Sequence, residues 1–448
     1  MSVRSLIVAA IAVAVAVAFA DSSIVVLALP ELYGTFDTSI EGVAWVITSY
    51  NLMLAVAALL LVFVVHRVRA NVLLAGGALV FLGGSIACAF ANSIGFLIGA
   101  RSVQGLGGAL LLAGSLPVLA ALVGSSARGV AIWTAAGTFG AGMGPALGGI
   151  LTQAFDWRAI FVAQAPVAGL ALLGATGAHV HATLEEGWTS GLRRTTPANA
   201  ALALVSGALV GALFLGVVLV IDVFGLPPIA GAAVVSAIPV ATLLARPVAT
   251  ALPVPLAVGA GTLLLSAGLI GLAFLPSSQL AYTVGSFALC GFGLGLSVPG
   301  LSHAVLGGDG IGRKATFTVG VRHLGLVLAL AVVAPVLTGD LFEAAEVAEL
   351  NATAVIVDGE IPATTKVPLA LDIRDTIDRV PEGEIPDFTA VFDEHGSTTD
   401  ATVRAVQDEL VAAIEEAVTR GFRSSFLFCA VLAALALIPV AAFRRKLE

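Results

Sequence analysis

Long apolar runs recur along the chain, each roughly 18–25 residues and so long enough to carry a helix across a bilayer. They lie near 5–30, 42–65, 71–91, 94–123, 129–151, 158–178, 199–221, 228–245, 251–275, 279–304, 316–338 and 422–443. This pattern predicts twelve spans, the eighth being the shortest and interrupted by Pro239. A polar stretch at 179–198, with Arg193 and Arg194, separates the sixth run from the seventh. It reads as a cytoplasmic linker between an N-terminal six-helix bundle (1–178) and a C-terminal one (spans seven to eleven in 199–339, span twelve with a basic tail in 422–448). Two such halves describe many secondary transporters. The expected fold is an all-α polytopic membrane protein with two six-helix bundles.

Composition agrees with that pattern. Hydrophobic residues make up 58% of the chain and charged ones 11%, against about 25% charged in soluble domains. Lipid must therefore solvate most of the surface, and nothing suggests a nucleic-acid partner. Cys88, Cys290 and Cys429 all fall in apolar runs, as small packing residues do. The first run is too long for a signal-peptide core of roughly 7–15 residues.

The net charge of −8 hides an asymmetry. Residues 340–421 hold 19 acidic and 5 basic side chains, a local charge of −14, and leave the remainder at +6. With an internal N-terminus, the basic residues Arg4, Arg67, Arg69, Arg128, Arg246, Arg313, Lys314 and Arg444 to Lys446 all fall on the cytoplasmic side. Arg158 is the one basic residue in a short external loop. The positive-inside rule then sets both termini in the cytoplasm of a plasma-membrane protein. The acidic segment becomes an external cap, helical where Val403, Val406, Leu410, Ala413, Ile414 and Val418 recur at helical spacing. Its charge reads as a solvated face rather than a collector of cations.

Two charges interrupt the spans. Asp21 follows an Ala/Val/Ile stretch in span one, and Arg101 lies in span four. Ionisable groups at such depth are costly and mark function. Asp21 is nine residues before Pro30 and Arg101 nine residues beyond Asn92, which puts each about 13 Å below the outer end at 1.5 Å per residue. Protonating the carboxylate of such a pair would release the arginine, giving a two-state, proton-sensitive device. In span five, Gly140, Gly144 and Gly148 repeat every four residues beside Pro145 and Gly149. Small-residue faces permit close helix approach, and proline bends the helix, so these five are expected at a moving interface between the halves. Asn51, Gln104 and Gln164 are further polar residues within spans, read as helix–helix hydrogen bonds or cavity groups. Arg322 and His323, in span eleven, read either as an inner polar gate or relay, or as side chains snorkelling to the cytoplasm. No metal-ligand cluster or nucleophile–base pair occurs in the spans, so neither an enzyme nor a metal site is expected.

Asp21-x-Ser23-Ile24-Val25-x-x-Ala28-Leu29-Pro30 resembles the first-span motif of drug:proton antiporters of the major facilitator superfamily, in the branch whose typical members have fourteen spans. Arg101-x-x-Gln104-Gly105-x-Gly107-Gly108-Ala109 is similar to that family's fourth-span motif. Gly140-x-x-x-Gly144-Pro145-x-x-Gly148-Gly149 is similar to its fifth-span antiporter motif. Trp157-Arg158-x-Ile160-Phe161-x-x-x-x-Pro166 resembles the start of span six, with Gln164 where asparagine is usual, and Arg322-x-Leu324-Gly325 fits span eleven. The resemblance implies the major facilitator fold, proton transfer involving Arg101 and export. It also implies a small-molecule substrate and a proton gradient in place of any cofactor. A monomer is expected. Two departures stand out. The loop between spans two and three, His66-Arg67-Val68-Arg69-Ala70-Asn71, lacks the family's glycine and aspartate, so its usual gating contact is not implied. The chain also has twelve expected spans where fourteen are usual. A symporter, a lipid-handling member of the fold, and a non-transporting sensor using the acidic cap remain open.

Overall fold

The computed structural model describes residues 2–176, 188–276, 279–306, 311–359, 361–379, 388–395, 397 and 400–444. Among these, every regular element is a helix. Ten helices are long and apolar enough to cross a membrane: Val3–Phe36, Ile40–Leu61, Ala70–Ala89, Ile94–Val123, Thr195–Val223, Pro228–Ala251, Val254–Ala273, Leu280–Leu306, Ile311–Ala344 and Ala401–Ala442. Two more take the fifth and sixth places: glycine-rich Ser126–Ala154, and the shorter Arg158–Gly169, which continues as a 3-10 turn through Thr176. The twelve are called spans one to twelve below.

Proline chemistry shapes several of them. Span one tightens to a 3-10 turn at Val25–Ala28 immediately before Pro30. Pro30 supplies no N–H and crowds the carbonyl four residues back, so the α-helical ladder cannot run through unchanged. Span eight is jointed at Ser236 and Ala245 and reaches Ala251, six residues beyond its expected end.

Three expected boundaries fall inside helices. The second half of the 179–198 linker is already helical, as part of Trp188–Val218; its residues 179–187 lie outside the described residues, as do 445–448 of the basic tail. Span eleven continues without a break to Asp358, past the expected start of the insertion at 340. Ala401–Gly421 likewise runs on into span twelve across Phe422. Polarity changes at these positions while the backbone stays helical even through Gly191, Pro197 and Gly339, so tertiary context overrides local propensity there. The insertion is thus built on the extended ends of spans eleven and twelve. It has its own small core, with Ile356, Leu369, Ile373, Phe392, Val406 and Leu410 among its buried residues.

Among the described residues the halves meet most extensively along two pairs, span two with span eleven and span five with span eight. These pairs exchange under a six-span shift. The same shift relates two close backbone approaches: Gly105 of span four lies on the Tyr50 carbonyl of span two, and Gly291 of span ten on the Ile238 carbonyl of span eight. At the end of span two, Arg313 Nε, from the start of span eleven, donates to the Val62 carbonyl at 3.0 Å. A cation placed there suits the negative end of a helix, and it ties the halves together beside the loop that lacks the family's aspartate.

Candidate functional site

Asp21 and Arg101 come together as a fully buried ion pair. Arg101 Nη1 donates to Asp21 Oδ2 at 2.5 Å, and both side chains are 0% exposed. Arg101 Nε is held by the Val46 carbonyl of span two at 3.0 Å. The guanidinium lies 4.5 Å from the centroid of Tyr50 and 5.7 Å from that of Phe161, a cation–π arrangement that strengthens when dry. Tyr50 is itself anchored, its hydroxyl donating to the Ala18 carbonyl of span one at 2.8 Å.

Gln104 is the hub of the cluster. It follows Arg101 by three residues and so shares its helix face. Its Oε1 accepts from Arg101 Nη1 at 2.6 Å. Its Nε2 lies within reach of three acceptors: Ser85 Oγ at 2.9 Å, Gln164 Oε1 at 2.9 Å and Asp21 Oδ1 at 3.3 Å. An amide has two N–H donors, so one of the three acceptors is always left waiting. Among the described residues, Arg101 Nη2 and Gln164 Nε2 have no hydrogen-bond partner. The pair therefore sits in a polar network with spare donors, drawn from spans one, three, four and six. Asn51 stands beside it, accepting from Ser22 Oγ at 2.8 Å and donating to the Ile47 carbonyl at 2.9 Å; it joins spans one and two rather than the ion pair. Sequence reasoning singled out the two charges and the two glutamines but missed Ser85, Tyr50 and Ser23. Serines recur through the spans and Tyr50 carries no charge to mark it, so only the depth of the helices places these three.

The glycines of span five divide between two faces, which corrects the expectation that all of them serve the interface between halves. Gly140 lies on the Ala16 backbone, Gly144 on Ser23 and Gly148 on the Ile24 carbonyl, all in span one of the same half. Gly142 and Gly149 meet span eight of the other half, at Pro239 and at Ala232 with Pro228. The reason is helical phase. At about 100° per residue, positions 140, 144 and 148 stay on one side, whereas 142 and 149 fall on the other. Span five is thus clamped between span one and the opposite half. Pro145 has no N–H to give the Ala141 carbonyl, and Ser23 Oγ reaches that carbonyl at 3.0 Å, sharing its one proton with the Ala20 carbonyl at 2.9 Å. The proline's missing rung is filled from span one, two residues past Asp21.

Arg322 and His323 do not reach the ion pair. His323 is buried and stacks on Phe19 of span one, centroids 6.2 Å apart and ring planes 17° from parallel. Arg322 is half-buried, with its guanidinium carbon 5.2 Å from the Phe19 centroid. Burial of His323 excludes the snorkelling alternative for that residue. His303 is exposed near the end of span ten.

Sequence and structural similarity extend these observations. A stretch of 160 residues, 34% of this chain and 29% of the relative, is 38% identical to the multidrug resistance protein Stp of Mycobacterium tuberculosis. Another of 158 residues, 35% of this chain and 34% of the relative, is 32% identical to the methylenomycin A resistance protein of Bacillus subtilis. The matched segment thus spans about a third of the length of these curated relatives. In three dimensions the chain is similar to a bacterial homolog of the human lysosomal transporter Spinster, with TM-score 0.61, 16% identity, and coverage of 99% of this chain and 98% of the other. The sequence profile of the Major Facilitator Superfamily matches residues 11–337. With that match over most of its length and a fold of two six-helix halves, the chain belongs to the Major Facilitator Superfamily.

Proposed function

We propose that the protein is a proton-coupled exporter of lipophilic or amphipathic small molecules, acting as a monomer in the plasma membrane. Both termini would lie in the cytoplasm and the proton gradient would serve in place of a cofactor. The observation that carries this reading is the dry Asp21–Arg101 pair wired to Gln104. With Asp21 ionised, the two charges offset each other's burial. With Asp21 protonated, Arg101 loses its counter-charge and must find other acceptors, a rearrangement that a buried pair makes large. Ser23 lies on the same helix and fills the Pro145 gap in span five, which in turn touches the other half through Gly142 and Gly149. Titration at Asp21 therefore has a short mechanical path to the inter-half contact. The resistance in the names of the relatives Stp and the methylenomycin A resistance protein is an outcome that export would give, and the basic residues on one side of the spans support the orientation.

The test is substrate-dependent proton movement in proteoliposomes. Asp21→Asn, which keeps the shape and one acceptor oxygen, should abolish proton-coupled transport while leaving a less stable protein still inserted in the membrane. Full antiport in that variant would overturn the assignment of Asp21 as the proton carrier.

A further inference from the structure

Span one has two chemically distinct sides. Phe19 and Asp21 are two residues apart, hence about 200° apart around the helix. Asp21 points into its own bundle toward Arg101, while Phe19 meets Arg322 and His323 of the other half. The Phe19 ring also packs edge-on against Trp133 at 5.2 Å. Arg322, His323, Phe19 and Trp133 thus form one cluster between the halves.

That cluster leaves polar donors unpaired beside a positive charge. Among the described residues, Arg322 Nε and both ring nitrogens of His323 have no hydrogen-bond partner, though His323 is only 2% exposed. Among the described residues no carboxylate bridges either side chain. The nearest acid on span one, Asp21, is committed to Arg101 on the opposite side. Buried polar groups in proteins are overwhelmingly paired, and a cation left without a partner is more expensive still. An apolar cation–π wall covers one face of the guanidinium but satisfies none of its N–H groups.

We infer that Arg322 and His323 form an anion-recognition subsite, and that the protein takes aromatic substrates carrying a carboxylate or similar acidic group. This rests on the transport reading above and adds the substrate class to it. The guanidinium supplies a planar fork matched to a carboxylate, His323 supplies a further donor from either tautomer, and Phe19 with Trp133 supplies aromatic walls. A bound anion would replace Phe19 as the partner of Arg322, and so would act on span one from the side opposite Asp21.

The experiment measures binding to the purified full chain in detergent with three probes of one shape: 2-naphthoate, neutral 2-naphthalenemethanol and cationic 2-naphthylmethylammonium. Charge-assisted hydrogen bonds justify expecting naphthoate to bind at least about tenfold more tightly than the alcohol, with the ammonium weakest. Arg322→Gln should erase the anion preference, lowering affinity for naphthoate far more than for the alcohol, and Arg322→Lys should keep part of it. Equal binding of all three probes by the native protein, or preference for the ammonium, overturns the proposal without any need for a stable variant. So does an Arg322→Gln variant that lowers affinity for the alcohol and naphthoate equally, which is what a purely structural clasp would do. Transport is a separate readout. Anion-selective binding with no proton-coupled flux would refute the transport reading alone, and flux without anion preference would refute the subsite alone.

Discussion

At the scale of single residues, the protein places its most expensive group where every neighbour is needed to hold it. Asp21 accepts from Arg101 and lies within reach of Gln104; Arg101 in turn leans on Val46, Tyr50 and Phe161. Removing one partner of such a pair strands the other, at roughly 3–5 kcal/mol, whereas removing both charges together can be nearly neutral. Arg101→Ala should therefore unfold at markedly lower temperature than the native protein, and the double variant Asp21→Asn with Arg101→Gln should recover most of the loss. Thermal unfolding of the purified variants measures this, and a double variant no more stable than Arg101→Ala would contradict it. The two charges were legible in the sequence because a charge within an apolar run is conspicuous, and equal depth joined them. Their supporting cast was not. Ser85 and Tyr50 differ in nothing visible from other serines and tyrosines in spans, since their importance comes from which helices lie beside them.

At the scale of helices, span five shows what periodicity can and cannot tell. Its four-residue glycine repeat correctly marks a close-packed face, yet a repeat carries no label for the helix it touches. The partner turned out to be span one, while the other half is met by Gly142 and Gly149. Adding a Cβ at Gly140 or Gly148 would press on backbone atoms of span one, which cannot rotate aside. Overpacking of this kind costs about 1–3 kcal/mol. Gly140→Ala and Gly148→Ala should each lower the melting temperature and transport, whereas Gly83→Ala, with open space around it, should change neither. Equal effects at all three positions would remove span one as the partner. Helix ends were the least legible features of all. At 340 the chain passes from apolar to acidic and at 421 back again, yet the helix runs through Gly339 at the first and from Gly421 across Phe422 at the second, so a boundary drawn by polarity marks where the helix meets water and not where it ends.

At the scale of the whole molecule, the acidic insertion is a folded cap rather than a loop, and its last helix begins at a defined point. Asp400 accepts from the backbone N–H and the hydroxyl of Thr402, at 2.8 and 2.7 Å. These bonds favour the ionised form and hold this exposed carboxyl below its usual range. A depressed folded-state pKa means the cap's contribution is complete above the unfolded value. It is lost as pH falls through the lower, folded one. The amides of Thr402 to Arg404 should thus stay protected from hydrogen exchange at neutral pH. Once corrected for intrinsic rates, they should lose protection only in strong acid. Asp400→Ala should show the same loss at neutral pH, and unchanged protection in that variant would dismiss the cap's role. The two-half architecture was legible from span count alone, whereas the insertion's own core had to await its tertiary contacts, because Ile356 and Phe392 lie far apart in sequence.

The unbroken helix from Ile311 to Asp358 has a geometric consequence. Its 48 residues, with Pro335 inside the helix, give a contour length of about 72 Å at 1.5 Å per residue, more than twice the roughly 30 Å thickness of the hydrocarbon core. One end carries Arg313 on the far half, Arg322 and His323 lie about a quarter of the way along, and the other end holds the cap. A rod pivoting near mid-membrane through roughly 10° would sweep its tip, about 50 Å away, through some 9 Å. Small tilts at the substrate level would thus be magnified into displacements of the cap large enough for a probe, or a neighbouring molecule, to register from outside the bilayer.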